Sequence, residues 1–142
     1  MLHTIEEAAI NFCIHQIRKD HTLREGVTKK RTLIAYIDLD TSEGKKYRAY
    51  IASDEEFMQQ VAKLFLEEEE SDEETLCDMT LETANLIIGS AKVIAEERND
   101  SPYTINTPFF EKIGEFDFAY DDAKTIQIAD AEFTIALKDL NV

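Results

Sequence analysis

Helical stripes and two-residue alternation occupy separate blocks of this sequence, which predicts an α+β fold with a mostly antiparallel sheet, one long helix and two further helices. Three observations carry that reading. A helical block opens the chain, a hairpin pattern and two more helical blocks follow, and short alternating runs fill the C-terminal third. The length of 142 residues, with 44% hydrophobic residues, four Gly and two Pro, fits one globular domain over residues 1–142.

Each predicted helix opens on Ser or Thr followed three residues later by Glu, a pairing in which hydroxyl and carboxylate reciprocally satisfy the free amides of a first turn. The pairs are Thr4/Glu7, Ser53/Glu56 and Ser71/Glu74. Behind the first, Ile5, Ala9, Phe12, Cys13 and Ile17 recur at helical spacing to about Lys19. Phe57, Val61, Leu64 and Phe65 form the stripe of the second. The third helix is the longest and runs to about Arg98, where Asn99 and Pro102 end it. The acidic run Glu67 to Glu74 between the last two reads as solvated loop and first helical turn, favourable at the positive end of a helix dipole.

Leu33, Ala35, Ile37 and Leu39 alternate, then Tyr47, Ala49 and Ile51 after a turn at Thr41-Ser42-Glu43-Gly44, which predicts a hairpin. Further strands are expected over Tyr103 to Phe110, Phe116 to Tyr120, Thr125 to Ile128 and Phe133 to Leu137. His21 to Arg31 reads as a polar lead into the first strand. Phe109, Phe110, Phe116 and Phe118 are expected in the core.

A formal charge of −15 repels phosphate backbones and anionic lipid heads, which argues against nucleic-acid and membrane-surface binding. No run approaches the ~18 apolar residues of a membrane span, and the N-terminus lacks a secretory pattern, so a cytoplasmic location is expected. Cys13 and Cys77 belong to no C-x-x-C pair and read as buried free thiols. His3, His15 and His21 lack ligand spacing, so no metal of the chain's own is expected. Asp38-x-Asp40-x-Ser42 starts like a calcium loop, but Glu43 and Ala49 stand where Gly and a bidentate Glu are required. Neither a phosphate-cradling Gly-rich loop nor a nucleophile elbow is present.

The long helix carries the unusual chemistry. At about 100° per residue, Leu76, Thr80, Ile87, Ala91 and Ile94 share one face, while Leu81, Leu86, Ile88 and Val93 lie round its sides. Such a helix is expected to be buried on several sides. Asp78, Glu82 and Asn85 nevertheless fall within roughly 60° of one another, and Gly89 continues their line. Asn and Gly are poor helix formers, so local stability does not explain them. Two explanations are open: Asn85 bonds a neighbouring strand that Gly89 lets approach, or the stripe meets something outside the chain.

Asp78-x3-Glu82-x2-Asn85-x22-Pro108 resembles the signature (Asp/Ser)-x3-Glu-x2-Asn-x22-Pro of the CheC/CheX/FliY chemotaxis phosphatases. The surrounding TLETANLIIGSAKVIAE is similar to that family's long helix, and the order of elements from about Leu33 to Leu137 matches a CheX-like domain. There is one signature: in the first helix Glu7 and Asn11 miss the Glu-x2-Asn spacing, so the single-site CheX type is implied, with a homodimer.

That resemblance implies hydrolysis of the aspartyl phosphate on a CheY-type response regulator, which ends a signal to the flagellar motor. The receiver domain supplies its own divalent metal, Mg, and the chain needs no cofactor. Asn85 and Glu82 are then the catalytic pair. A carboxamide can accept from and donate to an attacking water without adding charge beside a phosphoryl group, and Glu82 would pair with the receiver's active-site lysine. Asp78 would support the helix, Gly89 would allow close approach and Pro108 would shape the wall of the site. The alternative is a non-catalytic module that sequesters a phosphorylated receiver or regulates another chemotaxis or motor component.

Overall fold

The computed structural model describes residues 1–99 and 102–141. Three helices, α1 (Leu2–Phe12), α2 (Glu55–Leu66) and α3 (Glu73–Glu97), lie on a seven-stranded antiparallel sheet. Its strands are β1 (Thr22–Glu25), β2 (Arg31–Thr41), β3 (Lys46–Asp54), β4 (Tyr103–Ile105), β5 (Phe109–Glu115), β6 (Asp122–Ile128) and β7 (Ala131–Asp139). Their order is β1-β6-β7-β3-β2, and β4 and β5 both pair with the outer edge of β2. The α+β prediction holds.

Alternation along β2 and β3 divides the apolar residues between two faces of the sheet. Leu33, Ala35, Ile37, Leu39, Ala49 and Ile51 face the helices in the main core. Ile34, Tyr50 and Ala52 face the other way, into a smaller cluster under Phe116. The hairpin forms as expected, with Gly44 at φ +84° in its turn, a conformation that favours glycine.

Several sequence expectations shift. Asp54 and Asp72, not Ser53 and Ser71, cap α2 and α3, each accepting from the amide three residues on at 2.8 Å. A carboxylate reaches that amide and also faces the positive end of the helix dipole. The first helix starts ahead of Thr4, whose hydroxyl donates back to the Met1 carbonyl, and it ends in a wide turn over Cys13–Ile17. Tyr103 to Phe110 is two strands, separated where the exposed Asn106 donates to the Asp38 carbonyl and the Asp40 carboxylate. Phe116 to Tyr120 is a loop held by ring packing on Tyr50 rather than a strand. Phe109 is 54% exposed, whereas Phe116 is buried. The polar lead contains β1, an exposed edge strand paired with β6. Cys13 and Cys77 are free; Cys13 is buried, which pushes its thiol up to about 12, but Cys77 is only half-buried.

A charged network joins the sheet end to α2. Asp54 caps the helix with one carboxylate oxygen and with the other accepts from the Glu132 amide and from Lys30. Glu132 pairs with Arg24 and accepts from the Thr28 hydroxyl. Burial pushes the Glu132 carboxyl up, but the hydrogen bonds from Arg24 and Thr28 and the charges of Arg24 and Lys30 outweigh it and hold it below the ordinary glutamate value. A depressed carboxylate stabilises the fold above its unfolded-state value, and that contribution fades as pH falls through the folded one. Glu132→Gln should therefore cost about 1 to 3 kcal/mol in urea unfolding at pH 7, with the gap to wild type narrowing in acid. A gap independent of pH would contradict the assignment.

Candidate functional site

The α3 helix turns Leu76, Met79, Thr80, Thr83, Ala84, Ile87, Ile88, Ala91 and Ala95 inward. Many of these are small, so the helix can lie close to its neighbours. Thr80 satisfies its hydroxyl on the Leu76 carbonyl at 2.7 Å, and Thr83 meets the Met58 sulfur at 3.8 Å. On the opposite side Asp78, Glu82 and Asn85 are exposed and Gly89 is half-buried. At 1.5 Å per residue this stripe is about 16 Å long, and Glu82 and Asn85 are about one turn apart.

Asn85 reaches no strand. The side chains of Asp78, Glu82 and Asn85 make no hydrogen bond or ion pair with any described residue. A Cβ built on Gly89 would meet no atom within 4 Å outside its own helix backbone, so no neighbouring strand requires that glycine. Both observations reject the explanation in which the stripe serves internal packing.

Burial is narrower than expected. Leu86 and Val93, predicted to be covered, are 42% and 50% exposed and flank the stripe. The helix is therefore covered on its sheet side while the polar stripe and one apolar border remain open. Pro108 is half-buried between β4 and β5, strands against which α3 packs. It lies at the sheet edge, and the Asn106 bonds to β2 fix the segment leading into it. The four α3 residues thus line up on one element, and Pro108 comes from a separate one.

The stripe sits in an acidic setting. Asp72, Glu73 and Glu74 open α3, and Cys77 has its thiol pushed up by burial and by the charges of Glu73, Asp78 and Glu74. The exposed groups form a ridge. Among the described residues no group of three His, Cys, Asp or Glu is placed to hold a metal ion, and no helix is long and apolar enough to cross a membrane.

No protein-family model matches the sequence, and no curated protein matches it. Solved structures do. A CheC-like chemotactic protein from Shewanella oneidensis superimposes with a TM-score of 0.80 at 12% identity, covering 96% of this chain and 95% of that one. CheX from Vibrio vulnificus gives 0.74 at 16% identity, with 96% of both chains covered. The fold is that of CheC and CheX. CheX from Borrelia burgdorferi, solved in a complex with CheY, BeF3 and Mg2+, gives 0.67 at 16% identity over 96% of this chain and 97% of that one.

A stripe whose side chains bond no described residue contributes little side-chain interaction to stability. Gly89→Ala and Asn85→Ala should each raise the stability of the free protein by about 0.5 to 1 kcal/mol, since alanine is the better helix former. Urea unfolding checks this, and a loss of stability in either variant would show a packing role for that residue.

Proposed function

We propose that this protein hydrolyses the aspartyl phosphate of a CheY-type response regulator and so terminates a chemotaxis signal. The observation that carries the reading is the pair Glu82 and Asn85, one turn apart, exposed and unpartnered, on the outward ridge of α3 in a CheC/CheX fold. A ridge cannot enclose a small substrate or exclude water from it. It can enter a cleft on another protein, and desolvation of the pair then comes with docking.

Breaking an acyl phosphate requires a water in line with the leaving carboxylate, and positioning with charge stabilisation does most of the work. In this reading the Asn85 carboxamide oxygen accepts from that water. The water oxygen bonds phosphorus, the bond from phosphorus to the aspartate oxygen breaks, and the carboxylate leaves as an anion. Both of the water's protons depart with inorganic phosphate, released as dihydrogen phosphate. Asn85 removes no proton itself, because an amide has no basic site suited to that task. Glu82 would repel a phosphoryl group facing it directly, so it is assigned to a cation of the partner, a receiver lysine. Asp78 keeps the N-terminal end of the stripe acidic, Gly89 leaves room for the partner, and Pro108 stiffens the adjoining sheet edge.

Magnesium belongs to the receiver in this scheme, and the chain contributes no metal ligand. The reading places the protein in the cytoplasm, as a homodimer in which each copy uses its own stripe. The non-catalytic alternative uses the same surface and differs only in the fate of the phosphate.

In a phosphate-lifetime assay with labelled receiver, Asn85→Ala should slow dephosphorylation by on the order of 100-fold, the scale of a misplaced reactant. An unchanged rate in that variant would remove the water-orienting role. Glu82→Ala should weaken receiver binding as well as rate. A complex that forms without shortening the phosphate lifetime would make the protein a sequestering module. The charge of −15 adds a kinetic expectation: association with a basic docking face should slow as salt rises, and salt-independent association would remove electrostatic steering.

A further inference from the structure

Beside the stripe lies a groove of ≈ 230 Å³ between α1 and α3. Phe12 and Ile87 are buried at its floor, Phe65 and Leu86 stand at its walls with 42% exposure each, and the polar side chains of Asn11, His15, Gln16 and Ser90 lie on its rim. Phe65 is held in place by stacking on Phe12, with ring centroids 6.2 Å apart. Leu86 directly follows Asn85, about 100° round the helix. Nothing in the proposed hydrolysis uses this groove.

Its occupant follows from the size of the stripe. Even taken as wide as the helix, about 10 Å, a stripe about 16 Å long offers about 160 Å², against roughly 800 Å² per partner in a specific protein–protein contact. A protein seated on Glu82 and Asn85 must therefore spread over a flank. The groove side offers exposed apolar walls around a preformed concavity with a polar rim that includes His15. That combination is the anatomy of an interface anchor, a desolvated apolar contact ringed by groups that exclude water. The acidic residues at the start of α3 offer no such apolar contact.

We propose that the groove receives an apolar side chain from the same phosphorylated receiver that Glu82 and Asn85 address, and thereby selects which receiver is served. The inference rests on the receiver-phosphatase reading and adds an anchor set apart from the chemistry. Leu86 and Phe65 are positioning residues here. They fix the docked body beside the water-orienting carboxamide, Leu86 being one residue from it, and the size of the inserted side chain sets the fit. Receivers with a charged residue at the matching place would leave that charge desolvated and unpaired, which disfavours them.

The test uses the full chain and CheY-type receivers of the source organism, each loaded with beryllofluoride and Mg2+ for binding or phosphorylated for turnover. Leu86→Lys and Phe65→Ser should each raise Kd by about tenfold or more, while the rate at saturating receiver stays within about twofold of wild type. Asn85→Ala should do the reverse, and Leu86→Met should retain wild-type affinity. Both positions are part-exposed, so thermal melting should show the variants folded. Unchanged Kd in Leu86→Lys and Phe65→Ser, with Asn85→Ala still slow, would overturn the groove assignment and leave the phosphatase reading standing. Failure of the wild type to bind or dephosphorylate any receiver would overturn the phosphatase reading, and the groove assignment with it.

Discussion

Leu76, Thr83, Ile87 and Ala91 tie one side of α3 into the core, and the helical pitch then leaves Asp78, Glu82 and Asn85 facing outward. Small residues at Thr80, Ala84, Ala91 and Ala95 let the helix lie low, so the ridge stands on a rigid base. Rigidity matters for a group whose proposed task is to hold one water. An error of about 1 Å in such a group is enough to cost catalysis on the order of 100-fold.

Local preference and position disagree at two places on α3, Asn85 and Gly89. Neither residue is compensated inside the fold: Asn85 has no described partner, and a Cβ at Gly89 would face open space. Departures from local consistency concentrate where function outweighs stability. The Asp54 network is the opposite case. There a cap, a strand amide and a lysine converge on one carboxylate, and every group serves the architecture. Both motifs consist of ordinary polar residues, and what separates them is whether the partners lie within the chain.

Much of this was legible before any coordinates. The hairpin and the polar stripe follow from periodicity, since a single face or a strict alternation fixes which residues are covered, and the extent of the long helix follows from Ser71/Glu74 at its start and Asn99 and Pro102 at its end. The caps of α2 and α3 fall one position beyond the predicted serines, because Ser53-Asp54 and Ser71-Asp72 each offer two adjacent candidates and only the backbone geometry chooses between them. The edge strand β1 left no signal because all four of its residues are exposed. The exposure of Leu86 and Val93 is not legible in the sequence, because composition reports how apolar a helix is, not how many neighbours surround it. The groove was invisible for a related reason: it exists only where α1 and the end of α2 meet α3, across long stretches of sequence.

The central claim is that Asn85 enters a receiver's phosphorylation site and aligns the attacking water. A crystal structure of this protein bound to its beryllofluoride-loaded receiver tests it most directly. The account predicts the Asn85 carboxamide within hydrogen-bond distance of a water, or of the space for one, opposite the aspartate oxygen, with Glu82 on a receiver cation. A complex in which the receiver docks elsewhere and Asn85 faces solvent would contradict it.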